Sequence, residues 1–116
     1  MYGVVKIGTK EVPMLAMASA DVYYKRIFGA DPLKTQIKDD FDAADAVDLI
    51  QRMGFVMAKF AEVKTHKDML KLNEDSYLEW LDGFDRADLI DAIGDIRKVY
   101  DGEKATASAP KNEEGQ

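Results

Sequence analysis

Near its start the chain alternates in a strand-like way: Val4, Val5 and Ile7 lead into Gly8-Thr9-Lys10, and Glu11-Val12-Pro13-Met14 follows. A glycine-containing loop of about three residues between short apolar runs predicts a β-hairpin. Pro13 has no N–H to donate, so the second strand is an edge strand or ends there. An isolated two-stranded hairpin is marginal in water, so it packs on helices or joins a sheet supplied by a partner chain.

From Ser19 the apolar period lengthens. Val22, Tyr23, Ile27 and Phe28 recur at helical spacing, with Ser19 as N-cap and Gly29 as the C-terminal stop. Ala30-Asp31-Pro32-Leu33 reads as a connection, because a proline disfavours helix at the residue before it. A long helix is expected to begin near Asp40 or Asp42, whose carboxylates suit a helix N-terminus. Within it Ala46, Val47, Ile50, Met53, Met57, Phe60 and Ala61 make one apolar stripe. Leu49, Val56 and Val63 make a second, with Phe55 between them. A stripe this wide predicts a helix covered on more than one side, as the central core helix, an oligomer contact or both.

Residues 63–72 read as a connection followed by a short helix. Asn73 caps a helix over Glu74 to Leu81 that carries Tyr77, Leu78, Trp80 and Leu81; Gly83 ends it, and Phe84 follows. Asp85 caps the last helix, in which Leu89, Ile90, Ile93, Ile96, Val99 and Tyr100 are apolar and Gly102 is the stop. From Glu103 the pattern vanishes. Lys104 to Gln116 holds no large apolar residue, so 103–116 is expected to be a flexible tail. The expected fold is mainly α: a single domain over 1–102, with an N-terminal β-hairpin followed by about four to five helices, and a disordered C-terminal tail.

Composition narrows the chemistry. The 116 residues suit one domain. There is no cysteine and a single histidine, His66, which excludes disulfides, thiolate nucleophiles and zinc–thiolate sites. The formal charge of -6 does not suit nucleic acid, whose affinity comes mainly from Lys and Arg. The charge is uneven: residues 1–34 carry five basic and three acidic side chains, residues 73–103 three basic and ten acidic. That asymmetry favours oriented association, head-to-tail or with a basic partner, or else marks a solvated helix face. The start lacks an export signal, and the most apolar window, Ala43 to Val63, is interrupted by Asp45, Asp48, Arg52, Lys59 and Glu62. No membrane partner and a cytoplasmic location are expected.

Each catalytic or metal reading has a plainer counterpart. Asp39, Asp40, Asp42, Asp45 and Asp48 lack the turn glycine and the ligand spacing of a calcium loop, and fit a helix cap and polar face. Asp85, Asp88, Asp91 and Asp95 could share protons or hold a cation, but they also keep one helix face in water. His66, between Thr65 and Lys67, reads as a solvated loop residue. No glycine-rich phosphate-binding motif is present. No cofactor, metal or catalytic residue is therefore expected. What remains is apolar surface. Tyr77, Trp80, Leu81 and Phe84 are crowded together, and such aromatics either anchor a partner or close the domain's own core. The six methionines, Met53 and Met57 among them, either make an adaptable contact surface or fill core gaps.

The run Tyr77-Leu-Glu-Trp-Leu-Asp-Gly-Phe, followed by Asp88-Leu-Ile-Asp-Ala-Ile and Asp95-Ile, resembles the tail assembly chaperones of long-tailed bacteriophages, especially phages and prophages of Gram-positive bacteria. The resemblance runs from the Val4–Met14 hairpin to the last helix and rests on the order and spacing of features. It implies a non-enzymatic protein of the host cytoplasm, absent from the finished virion, that binds the tape measure protein and tail tube subunits during tail morphogenesis. It also implies homo-oligomers, and a longer product made by ribosomal frameshifting. Pro110-Lys111-Asn112 can be encoded by a run containing a slippery heptamer, which the nucleotide sequence decides. On this reading Tyr77, Trp80, Leu81, Phe84, Met53 and Met57 are the partner-binding candidates. The alternative is an acidic regulatory or inhibitor protein that occupies a basic host protein through residues 73–103. A carboxylate enzyme of unidentified substrate is a further rival, which tight divalent-ion binding would revive.

Overall fold

The computed structural model describes residues 1–63 and 65–103. The expected tail beyond Glu103, with Pro110-Lys111-Asn112, lies outside the described residues.

Gly8 takes a left-handed conformation (φ 64°), which lets Gly8-Thr9 alone form the hairpin turn, tighter than the expected loop. Strand β1 (Tyr2–Ile7) pairs antiparallel with β2 (Lys10–Leu15), in a register that sets Ile7 opposite Lys10, Val4 opposite Pro13 and Tyr2 opposite Leu15. Pro13 does not end β2; it lies within an edge strand. Val5, Ile7 and Met14 turn inward and are buried, whereas Tyr2 and Val4 face out. No third strand joins the sheet among the described residues.

Among the described residues seven helices follow, two more than the upper expectation, and the fold is mainly helical. Helix α1 (Ala20–Phe28) ends on Gly29 in the left-handed conformation (φ 73°). The expected connection at 30–33 contains the start of α2 (Pro32–Gln36) instead. Asp31 is extended, as a residue before proline prefers, and its carboxylate accepts from the N–H groups of Leu33 and Lys34. Pro32 thus stands at the first helical position, where its missing N–H costs nothing.

Helix α3 (Ala43–Val63) is the centre of the molecule. At its start Asp42 and Asp45 cap one another: the Asp45 N–H donates to the Asp42 carboxylate at 2.9 Å and the Asp42 N–H to the Asp45 carboxylate at 3.2 Å. Met53, Phe55, Val56 and Met57 are fully enclosed, and Leu49, Ile50, Ala58 and Phe60 nearly so. The hairpin, α1 and the last helix cover α3 on different sides, which explains the double stripe in the sequence. Each large side chain so enclosed contributes about 2 kcal/mol.

A short helix α4 (His66–Met69) is capped by Thr65 and drops Met69 into the core. Helix α5 (Glu74–Leu81) opens on a reciprocal cap between Asn73 and Ser76. The single last helix of the sequence reading is two: α6 (Arg86–Asp91), capped by Asp85, and α7 (Ile93–Asp101), divided at Ala92. Ala92 is buried and keeps near-helical angles (φ -86°, ψ -7°), so neither glycine nor proline marks the break. The break lets Leu89 on α6 and Ile96 and Val99 on α7 all reach the core.

Candidate functional site

The cap at Asn73 fixes where α5 begins and hence which way its aromatic residues point. Tyr77 falls inward and is buried; its ring meets Phe28 at 5.0 Å and Phe55 at 5.5 Å between centroids. Its hydroxyl accepts from Gln51 Nε2 at 2.9 Å, and burial pushes its pKa above the usual tyrosine value. One turn later Trp80 is half-buried, edge-on to Phe55 at 5.9 Å. Leu81 and Phe84 are also half-buried. The hairpin turn clamps Phe84 from the far side: Lys10 Nζ lies 5.2 Å from its ring centroid and donates to the Gly83 carbonyl.

Leu81 and Phe84 therefore present one edge to the core and the other to a groove. This groove, about 540 Å³, runs between the first turns of α3 and the α5–α6 connection. Ala44, Val47, Leu81, Phe84, Leu89 and Ile90 supply its apolar wall, and Asp48, Gln51, Asp82 and Arg86 its polar rim. Two carboxylates against one guanidinium leave the rim acidic. A groove of this size, with an apolar wall and a polar rim, has room for an apolar side chain.

The six candidates divide accordingly. Leu81 and Phe84 line the groove together. Trp80 does not reach it and faces a small hollow of about 120 Å³ beside Val12, Pro13, Ala58 and Ala61. Tyr77 is a core residue with a satisfied hydroxyl. Met53 and Met57 are corrected as surface candidates: both are fully buried on α3, so they fill the core and present nothing to a partner. Ala44, Val47, Leu89 and Ile90 were not among the candidates. The available signal was the adjacent pair Leu89-Ile90: neighbours on a helix point about 100° apart, so on a helix covered from one side only one of them is enclosed, and Ile90 is 37% exposed.

Part of each acidic cluster is taken up by local contacts. Asp85 caps α6 at 2.9 Å from the Ala87 N–H, Asp95 lies 3.8 Å from Lys98, and Asp48 lies 3.4 Å from Arg52. No group of three or more His, Asp or Glu among the described residues is placed to hold a metal ion. His66 is exposed, as expected, but lies on a helix where a loop was expected. It starts α4, its Nδ1 lies 2.6 Å from the Tyr23 hydroxyl, and its ring stacks on Tyr23 at 5.7 Å. Among the described residues no helix is long and apolar enough to cross a membrane. Compared with family models, curated proteins and solved structures, the chain matches none of them.

Proposed function

We propose that this chain is a tail assembly chaperone that binds the tape measure protein without catalysing a reaction, taking an apolar segment of that client in the α3–α6 groove. One observation carries the reading: Leu81 and Phe84, within the aromatic-acidic run of the family resemblance, line the same groove as Val47, Leu89 and Ile90. An exposed apolar groove on an acidic protein shields a client's apolar segments while like charge keeps the complexes apart. Several copies on one extended client add avidity. Tail tube subunits are the second expected client, and the host cytoplasm is the site of action.

The test is co-expression with a tape measure protein encoded beside the gene for this chain. Ile90→Glu and Ala44→Arg, both at exposed groove positions, should leave far-ultraviolet dichroism unchanged and lose client solubilisation. Retention of solubilisation by both variants sinks the reading. The acidic segment 73–103 supports the second reading, an inhibitor of a basic host protein. Capture of such a protein that weakens steeply with salt, and survives both groove variants, would favour it.

A further inference from the structure

The two edges of the hairpin are unlike. Met1 and Ala16 exchange backbone hydrogen bonds at 2.9 and 2.8 Å, which fixes the alternation of the whole ladder. Gly3, Val5 and Ile7 therefore turn their N–H and C=O groups toward β2, and Tyr2, Val4 and Lys6 turn theirs away from it. On β2 the outward set is Glu11, Pro13 and Leu15, and Pro13 removes the middle donor from that edge. On β1 all three outward residues keep donor and acceptor. Among the described residues no backbone or side-chain group bonds to those of Tyr2, Val4 or Lys6. One edge is blocked and the other is open.

The open edge carries no proline, and its one charge, Lys6, stands at one end of the row. Val4 is 52% and Tyr2 59% exposed, with Pro13 and Leu15 beside them on the same face. Such a row is a template for another strand unless a bulge, a proline or inward charges blunt it. A groove of about 240 Å³ runs along this edge, between Met1–Val5 and the Asp95, Lys98 and Glu103 side of α7.

We infer that the open edge of β1 is an interface between two copies of this chain, which pair antiparallel about a two-fold axis through Val4 to form a four-stranded sheet. The strand is complementary to itself in that register. Val4 meets Val4 of the second copy, and Tyr2 meets Lys6 of the second copy, so no like charges stand opposite and the tyrosine ring covers the aliphatic stem of the lysine. The three outward residues then form three hydrogen-bonded pairs, about six backbone bonds at two per pair. Beneath the sheet, Lys98 and Asp95 on the rim of each copy pair with one another at 3.8 Å, which leaves Glu103, among the described residues, as the one charge without a partner on that rim. The blocked β2 edge limits the sheet to two copies and prevents an open-ended fibre. The inference is independent of the groove on α3 and of any client.

The full chain decides it by sedimentation velocity over a range of concentrations. The wild type should show a reversible monomer–dimer equilibrium, and Val4→Pro should weaken it by at least about tenfold by removing two of the central bonds. Pro13 opposite already shows that this outward register tolerates proline. Where dichroism shows that Val4→Pro has lost the fold, Val4→Lys serves, since it sets like charges across the axis. Because the chain has no cysteine, Val4→Cys gives a direct position test. Hydrogen-bonded antiparallel pairs hold Cα atoms about 5.5 Å apart, within disulfide reach, so mild oxidation should give a covalent dimer. Val22→Cys, exposed on α1, should not. A wild type monomeric at every concentration overturns the inference, as does a folded Val4→Pro or Val4→Lys with unchanged dimerisation. A chain that dimerises only after removal of residues 104–116 would assign the edge to the chain's own C-terminal segment, and equally overturns it. Ile90→Glu should leave the dimer intact, so failure here and failure of the client-binding reading are separable.

Discussion

Phe84 stands edge-on to Trp80, with ring centroids 5.0 Å apart and planes at 70°. The pair joins two environments, because Trp80 leans on the enclosed Phe55 while Phe84 lines the groove. Trp80→Ala should therefore act mainly on stability, lowering it by about 2–3 kcal/mol, below the range for a fully enclosed aromatic. Phe84→Ala should lower it by about 1–2 kcal/mol and also weaken client binding. Because the two rings touch, the double variant should lose less than the sum of the single losses. Urea unfolding midpoints of the three variants check this, and strict additivity would contradict the observed packing.

The hairpin turn is fitted to α6 as well as to its own strands. Gly8 has φ 64°, and a Cβ placed there would lie 2.5 Å from Asp88 Oδ2. Gly29 has nearly the same backbone (φ 73°) with nothing within 4 Å of a Cβ. Gly29→Ala should thus cost only the left-handed penalty, about 1 kcal/mol, and Gly8→Ala more than that. Adding Asp88→Ala should return Gly8→Ala to the Gly29→Ala level. Equal losses at the two glycines in thermal unfolding would show that the exposed Asp88 carboxylate swings aside without cost.

The Gln51–Tyr77 hydrogen bond ties α5 to α3 behind the groove. Tyr77→Phe keeps the ring in its place against Phe28 and Phe55 but leaves the Gln51 amide to water, since Gln51 is only half-buried. A loss of about 1 kcal/mol is expected in denaturant unfolding, with the slope unchanged. A loss near 3 kcal/mol would instead mean that the hydroxyl organises the wider cluster.

Local signals in the sequence were strong where one residue type has one physical use. Asn73, Asp85, Gly29 and Gly102 stand at the helix ends that they mark, because caps and left-handed stops depend on near neighbours alone. Pro32 misled because the same residue closes one segment and opens a helix; only the Asp31 carboxylate bound to Leu33 and Lys34 decides between them. The break at Ala92 was hidden for a different reason. Its residues keep helical periodicity on both sides, and the change of axis is imposed by what α6 and α7 pack against. The site was half legible: Leu81 and Phe84 lie near each other in sequence, whereas Ala44 and Val47 reach the groove only through the packing of α3. Met53 and Met57 could be read as surface or core, and only the cover over α3 makes them core.

Tyr100 and Asp21 give the fold its clearest expected dependence on pH. The Tyr100 hydroxyl donates to the Asp21 carboxylate at 2.9 Å, tying α7 to α1. Burial, and then that carboxylate, push the Tyr100 pKa upward, because both disfavour the phenolate. A tyrosine that holds its proton more firmly folded than unfolded contributes fully below its unfolded value, near pH 10. Its contribution is lost as pH rises from there, since the unfolded chain then binds fewer protons than the folded one. One fully enclosed group would give a slope approaching about 1.4 kcal/mol per pH unit, and half-exposed Tyr100 should give distinctly less. Tyr24 and Tyr77, both raised chiefly by burial, add to the same alkaline limb. At neutral pH, Tyr100→Phe should cost about 1 kcal/mol for the lost hydrogen bond. Above pH 10 the gap between wild type and Tyr100→Phe should narrow, because the variant has no phenol to ionise at that position. Urea unfolding of both proteins from neutral to alkaline pH measures the gap directly. A gap that stays constant across the range would show that Tyr100 ionises no later in the folded chain than in the unfolded one.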